Sequence, residues 1–401
     1  MKKEFLDKLD DLLPLVESPG RYVGNELNVV EKDITADTIH FAFAFPDIYE
    51  VGMSHLGMKI LYHLLNEQEA VYCERTFAPW IDMEKVMREN DIPLYTLESK
   101  DKLSDFDFVG FTLQYEMSFS NILNMLDLGQ IPIFSKDRGE EDPFIIVGGP
   151  CAFNTEPLAD FVDIVVVGEA EEVLLELIDV YKRNKGTSRK DLLKKFMTLK
   201  GVYIPSFYDV EYNEEGAISQ VKPLVEGAPE KIQKRYIENL DKVSFPDKII
   251  LPYIQTVHDR IMLEVIRGCT RGCRFCQAGM IYRPMREKSP ERLKEDARKL
   301  LEATGYDEIS LSSLSTTDYS KLPELINHLK EYEEKKVSVS LPSLRIDTFS
   351  IGLADELQKV RKSGLTFAPE AGTQRLRDVI NKGVTEEDLL TTVSEAFEAG
   401  W

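Results

Sequence analysis

Apolar residues in this chain follow two rhythms: short runs that are almost continuous, and longer stretches with an apolar position every three or four residues. "TIHFAFAF" (38–45), "FDFVGFTL" (106–113), "FIIVGG" (144–149) and "VDIVVVG" (162–168) are of the first kind, each ending at a Gly, Pro or polar turn. Such runs suit strands that a parallel sheet buries on both faces. Among and after them, "HLGMKILYHLLNE" (55–67), "SNILNMLDLG" (120–129) and "EAEEVLLELIDVYKR" (169–183) carry the helical period. Strand and helix in alternation predict a doubly wound, Rossmann-like α/β domain over residues 1–185, with ligands at the carboxyl ends of its strands.

The pattern changes at residues 186–260. A charged helix leads into "VYIPSFYDVEYNEEGAISQVKPL", whose "NEEG" between two alternating segments predicts a β-hairpin. We read this region as a connector. From residue 261 the alternation resumes, with strands predicted at "IMLEVIRG" (261–268), "EISLSSLS" (308–315), "VSVSLPSLRI" (337–346) and "GLTFAPEAG" (364–372). A helix over 290–304 opens with Ser289 as N-cap and Pro290 at its first position, and presents Leu293, Ala297, Leu300 and Leu301 on one face. The last helix, 386–399, starts at Thr385 and is expected to bury Leu389, Leu390, Val393 and Phe397. Residues 261–401 therefore read as a row of parallel βα units.

Composition narrows the function. A chain of 401 residues, 43% apolar and 30% charged, has material for two globular cores. Its 70 acidic against 49 basic side chains give a net charge of -21, which disfavours nucleic acid as a partner. The start, "MKKEFLDKLDDLLPLVESPG", has its apolar residues broken by acids and prolines, so it predicts neither a secretion signal nor a membrane span. A cytoplasmic location with no membrane partner is expected. Five cysteines, an odd number with three in eight positions, do not read as a disulfide framework.

Those three, Cys269, Cys273 and Cys276, form a C-x3-C-x2-C array directly after a predicted strand. Structural zinc sites want four closed ligands. The nearest extra candidate, His258, lies eleven residues before Cys269, beyond that strand. Iron–sulfur clusters accept thiolates at such short spacings. A cluster of four irons on three thiolates leaves one iron open to a small molecule.

"CTRGCRFC", with an aromatic residue before the third cysteine and at the end of the first strand of a βα series, resembles the radical S-adenosylmethionine superfamily. The longer pattern of "PGRYVGNELN" (19–28), "FPDIYEVGMSHLG" (45–57), "VGGPCAFNTEPLADF" (147–161), "HDRIMLEVIRGCTRGCRFCQAGMIYRPMREKSPE" (258–291) and "APEAGTQRLRDVINKG" (368–383) is similar to an uncharacterised bacterial subfamily with an N-terminal cobalamin-binding-like domain. The resemblance implies a 4Fe-4S cluster on Cys269, Cys273 and Cys276. It further implies reductive cleavage of S-adenosylmethionine to a 5′-deoxyadenosyl radical, an electron donor such as flavodoxin or ferredoxin, and a substrate that the sequence does not name. Ser312, Ser313 and Ser315 fall where the superfamily binds the methionine amine, in place of its usual residues. Arg345, at the end of the third strand, would pair with a carboxylate, and Glu370 and Thr373 would face ribose and methionine. Arg283 and Arg286 would approach cofactor or substrate, or lie on a plain surface.

For the first domain the resemblance implies cobalamin at Asp47, Tyr49, Gly52, Thr112, Gly148 and Gly149. Tyr49 stands where cobalamin domains carry a cobalt-binding histidine, so cobalamin without a protein histidine, or another ligand, is expected; His55 is either a substitute ligand or a packed or solvated helical residue, and Cys151 a buried loop residue. With cobalamin the implied reaction is radical methylation. The rival readings are a non-catalytic iron–sulfur redox or sensor protein and an RNA-modifying, methylthiotransferase-like enzyme. The second domain supplies four strands, fewer than superfamily barrels usually hold. A partial (β/α) barrel is therefore expected, apparently truncated after four strands, with a further C-terminal region or another chain completing it.

Overall fold

The computed structural model describes residues 2–332, 334–348, 352 and 364–401. The chain divides into two units: residues 1–237 with 250–257, and residues 238–249 with 258–401.

The first unit is built on a six-stranded sheet of β1 (Ile39–Phe45), β2 (Val71–Phe77), β3 (Phe108–Thr112), β4 (Phe144–Gly148), β5 (Ile164–Val166) and β6 (Val202–Tyr203), in the order β2-β1-β3-β4-β5-β6. The first five strands are parallel, and β6 joins β5 antiparallel. Order and direction are those of a doubly wound sheet, which places candidate ligand sites beyond the carboxyl ends of β1, β3 and β4. The apolar runs supply β1, β3, β4 and β5, all deep in the core. Helices Leu56–Asn66, Phe119–Leu128 and Glu171–Arg183 occupy the three predicted helical stretches.

Strand β2, "VYCERTF", has no counterpart in the apolar pattern, because Glu74 and Arg75 give it the look of a surface segment. All seven of its residues are nevertheless buried. Buried charge persists only when paired. Here Arg75 donates to both oxygens of Glu26, at 3.1 and 2.8 Å, and to Glu98 Oε1 at 2.6 Å.

Of residues 186–260, read as a connector, 186–237 and 250–257 belong to the first unit and the rest to the second. Helix Arg189–Phe196 buries Leu192, Leu193 and Phe196, and β6 extends the sheet. The hairpin is present as β7 (Tyr208–Tyr212) and β8 (Ile218–Pro223), its turn held by backbone N–H groups of Glu215 and Ala217 donating to Asn213 Oδ1.

In the second unit β9 (Ile261–Glu264), β12 (Glu308–Ser312) and β13 (Ser338–Ser340) form a parallel sheet in the order β13-β12-β9. The two short strands β10 (Ile266–Arg267) and β11 (Arg286–Glu287) pair antiparallel. Helix Pro290–Thr304 begins where expected, with Ser289 Oγ accepting from the Arg292 N–H and Leu293, Ala297 and Leu300 buried.

Three expectations here are corrected. Residues 364–372 form no strand: Pro369 lacks a donor, and Glu370 sits at φ 66, outside extended geometry. The third strand stops at Ser340, ahead of Pro342 and of Ser343 at φ 58, so Arg345 lies in a loop rather than at a strand end. Helix Glu386–Glu398 has its Thr385–Asp388 capping box, but it buries Thr392 and Ala396 and leaves Leu390 and Phe397 exposed.

Candidate functional site

The three clustered cysteines lie on a loop whose neck is a pair of short strands. The register Ile266↔Glu287 and Arg267↔Arg286 brings the ends of residues 268–285 together. Gly268 starts this loop at φ 92, and a Cβ there would fall 2.6 Å from the Tyr282 carbonyl oxygen and 2.7 Å from that of Pro284, so only glycine fits. Arg286 reinforces the neck, donating to the carbonyls of Pro284 at 2.9 Å and Tyr282 at 3.2 Å. Arg283 reaches back over Gly272.

Cys269, Cys273 and Cys276 are free thiols, each partly exposed. The Gly279 N–H, in the short helix Ala278–Ile281, donates to Cys276 Sγ at 3.3 Å. Ligands of one tetrahedral zinc would crowd about 2.3 Å from a common point. Among the described residues no three of His, Cys, Asp and Glu are grouped to hold a single metal ion. Thiolates of an iron–sulfur cluster bind separate irons, so they need not converge on one point. Three partly exposed thiols on one closed loop, with an N–H already aimed at a sulfur, fit such a cluster.

The loop is anchored from two sides. On one, the Arg274 backbone N–H donates to the Ile380 carbonyl at 2.9 Å, the Arg274 guanidinium to the Val379 carbonyl, and Asn381 Nδ2 to the Gly272 carbonyl at 2.9 Å. These partners end helix Gln374–Val379. On the other, Arg271 binds both oxygens of Asp318, with Nε to Oδ2 at 2.8 Å, and lies 3.4 Å from Asp347 Oδ2. Asp318 follows β12 and Asp347 follows β13. Burial pushes the Asp318 carboxyl up, but the bonds from Arg271 and Ser315 outweigh it and hold it below its ordinary value.

Residues expected to face S-adenosylmethionine are distributed around this loop. Ser312 ends β12, its carbonyl accepting from the Val265 N–H at 3.1 Å. Ser313 and Thr316 share a hydroxyl contact of 2.9 Å, and buried Ser315 donates to Asp318 Oδ2 at 2.7 Å. Arg345 pairs within the protein with the carboxylate of Asp347, at 2.9 and 3.0 Å. It also donates to the Lys382 carbonyl at 3.1 Å, while Lys382 Nζ donates to Glu370 Oε1 at 3.1 Å and lies 6.0 Å from the centre of the Phe275 ring. Arg345, Lys382, Glu370 and Phe275 thus share one neighbourhood. Thr373 caps helix Gln374–Val379 through a 3.3 Å bond from the Leu376 N–H. Arg271, Asp318, Asp347, Asn381 and Lys382 were not singled out from sequence. The "INKG" turn was the available signal for Asn381, which sits at φ 54.

Several first-unit candidates are spoken for by the core. Tyr49 is 1% exposed, donates to Glu26 Oε1 at 2.8 Å and packs edge-on against Phe77. Burial, with Glu26 beside it, drives its hydroxyl pKa up, so it remains a phenol. Gly52 is required by packing: a Cβ would strike the Phe77 ring at 2.3 Å. Gly149, at φ 107, makes room for the backbone of Leu113, 2.9 Å from a Cβ, and Gly148 accepts from the Leu113 N–H. Thr112 Oγ1 accepts from Gln114, and Asp47 Oδ1 from the Ile48 N–H at 2.7 Å. His55 is an N-cap: its Nδ1 accepts from the Met58 N–H at 3.1 Å, which puts the ring proton on Nε2, and burial lowers its pKa to about 4. Neither Tyr49 nor His55 offers a lone pair to cobalt, so the axial ligation that a histidine gives does not fit these residues. Cys151 is buried, its thiol pushed up to about 11 by burial and by Glu116. Beyond the carboxyl ends of β3 and β4, Tyr115, Met117 and Phe153 are exposed, with Glu116 and Asn154 exposed among them.

No helix among the described residues is long and apolar enough to cross a membrane. A family profile described as "Radical SAM proteins, N-terminal" matches residues 57–205, and one described as "Radical SAM superfamily" matches residues 263–401. The chain is 28% identical over 376 residues to "Uncharacterized protein MJ0966" of Methanocaldococcus jannaschii, covering 90% of this chain and 66% of that one. It is 25% identical to "Uncharacterized methyltransferase PH0819" of Pyrococcus horikoshii, covering 65% and 52%. It therefore spans less than two thirds of either relative's length. Among solved structures its fold is shared with the cobalamin-dependent S-adenosylmethionine radical enzyme OxsB (TM-score 0.56, 14% identity, 90% of this chain and 48% of that one). It is shared also with the radical S-adenosylmethionine methyltransferase TsrM from Kitasatospora setae (TM-score 0.55, 14% identity, 90% and 65%). With its cysteine loop, its parallel sheets and both profile matches, the chain belongs to the radical S-adenosylmethionine superfamily.

Proposed function

We propose that the chain is a radical S-adenosylmethionine enzyme holding a 4Fe-4S cluster on Cys269, Cys273 and Cys276. The observation that carries the reading is the neck-closed loop 268–285, which presents three thiols and no fourth. When reduced, such a cluster supplies the electron that splits S-adenosylmethionine into methionine and a 5′-deoxyadenosyl radical. The protein's own part is to hold and orient. The Gly279 N–H holds the Cys276 sulfur in place, and the anchors at Asp318 and Ile380–Asn381 fix the loop. Ser312, Ser313 and Ser315 beyond β12, with Arg345, Glu370 and Thr373, supply hydroxyl, cation and carboxylate groups for an amino acid and a ribose. Phe275, 53% exposed beside Cys276, offers a face on which a purine can stack.

Reductant-dependent formation of 5′-deoxyadenosine by the anaerobically reconstituted chain tests the reading. Product from the wild type and none from Cys273→Ala supports it. A loaded cluster that never cleaves S-adenosylmethionine would instead make this a non-catalytic redox or sensing protein.

Cobalamin-assisted methyl transfer is a second reading, favoured by the fold shared with OxsB and TsrM and by the exposed Tyr115, Met117 and Phe153. Asp47, Thr112, Gly148 and Gly149 would then shape the floor of that site. No step is assigned to cobalamin here, since Tyr49 and His55 do not present it a ligand.

A further inference from the structure

Arg271 sits between the first two cysteines, yet its side chain leaves the loop. Its guanidinium takes Asp318 in a two-pronged grip and reaches Asp347, and both acids are themselves held, Asp318 by Ser315 at 2.7 Å and Asp347 by Arg345 at 2.9 and 3.0 Å. The result is a row of alternating charge, Arg345, Asp347, Arg271, Asp318. The side chains of Arg345, Asp347 and Asp318 are only 10%, 16% and 14% exposed. A solitary surface pair would contribute little. Arg271, 32% exposed, is half-buried, but a networked pair with planar two-point geometry to a mostly buried acid is a different case, and lysine cannot reproduce it.

Its place in the fold gives it a task. The acids follow β12 and β13, while the cysteines come after β9 and β10, so one side chain ties the metal-binding loop to the segments that leave the other two strands of the sheet, β12 beside β9 and β13 beyond it. We propose that Arg271 is a positioning residue for the cluster: gripped by Asp318, it fixes the spacing of Cys269 and Cys273, and its charge, opposed by that of Asp318, sets the cluster's reduction potential. The proposal rests on the reading of the three cysteines as cluster ligands. Outer contacts of this kind commonly change metal affinity by 10–100-fold, and net charge near an iron–sulfur cluster moves its potential.

The test uses the full chain, anaerobically reconstituted, as wild type, Arg271→Gln, Arg271→Lys, Asp318→Asn and the Arg271→Gln/Asp318→Asn double variant. Two readouts are taken: the rate at which an iron chelator bleaches the cluster absorbance, and the midpoint potential. Each single Gln or Asn change should speed bleaching roughly tenfold, and the double change should be no faster than either single, because both remove one interaction. The potential should fall in Arg271→Gln and rise in Asp318→Asn. Arg271→Lys should keep the wild-type potential while recovering only part of the chelator resistance. General loosening of the loop would shift both potentials in the same direction and make the bleaching effects additive, and that result would overturn the proposal, as would single variants indistinguishable from wild type. A wild type that takes up no iron would instead remove the cluster reading on which the proposal rests.

Discussion

Tyr49 donates its hydroxyl proton to Glu26 Oε1, 2.8 Å away, and that carboxylate also receives the buried guanidinium of Arg75. The residue in the place of a cobalt-binding histidine is therefore a strut inside the first unit. Tyr49→Phe should lower stability by about 1.5–3 kcal/mol, the cost of one hydrogen bond to a charged group, as read from urea unfolding. If hydroxocobalamin binds, its Co(II) form should show no nitrogen splitting from a protein imidazole in electron paramagnetic resonance. Such splitting would show that a histidine reaches the cobalt after all.

Arg75 is 1% exposed and pairs with two carboxylates, those of Glu26 and Glu98. Arg75→Met would leave both buried without a cation, Glu26 keeping the Tyr49 hydroxyl and Glu98 the residue 75 backbone N–H, at a cost of about 3–5 kcal/mol. Adding Glu98→Gln to that variant should recover part of the loss. A urea midpoint unchanged by Arg75→Met would mean that the pairs contribute nothing.

The same cluster sets a pH signature. Burial raises the Glu26 carboxyl, but the charge and hydrogen bonds of Arg75 more than reverse this, so its pKa in the folded chain lies below the ordinary 4.5. The unfolded chain then binds more protons, and stability from Glu26 is fully present above the ordinary pKa and lost as pH falls through the folded one. Glu98 goes the other way: burial raises it beyond what Arg75 offsets, so its contribution is present below the ordinary pKa and fades as pH rises through the folded value. Between about pH 3 and pH 6, Glu26→Gln should flatten the acid-side fall in urea midpoint and Glu98→Gln should steepen it. Parallel changes in the two variants would contradict these assignments.

Gly268 offers a local test of the loop's neck. Gly268→Ala, with its Cβ forced against two carbonyl oxygens at a positive φ, should destabilise the second unit by more than about 1 kcal/mol. Iron retention should fall with it, while the urea transition of the first unit stays in place. Undiminished iron retention would show that the neck does not hold the loop.

What the sequence disclosed follows from how local each signal is. The cysteine array, the runs that became β1, β3, β4 and β5, and the caps at Ser289 and Thr385 are patterns within a few residues of one another, and they were legible. Strand β2 was not, because its Arg75 is satisfied by Glu26 and Glu98, 49 and 23 residues away, and local composition cannot show that pairing. Arg271 and Asp318, 47 residues apart, escaped for the same reason. Conversely, "GLTFAPEAG" has a strand's composition but carries Pro369 and a left-handed Glu370, and composition outweighed backbone geometry in the sequence reading. Leu390 and Phe397 have the helical period that predicts burial, yet Thr392 and Ala396 turn inward, with Thr392 Oγ1 donating to the Ile346 carbonyl at 3.2 Å.

The measurement that bears most directly on the account is the electron paramagnetic resonance spectrum of the reduced, reconstituted chain, recorded with and without S-adenosylmethionine, for the wild type and for Cys273→Ala. Three thiolates on about four irons leave one iron open, so the wild type should give a reduced-cluster signal that changes when S-adenosylmethionine is added, and Cys273→Ala should give none. A signal indifferent to S-adenosylmethionine, or one that survives Cys273→Ala, would contradict the account.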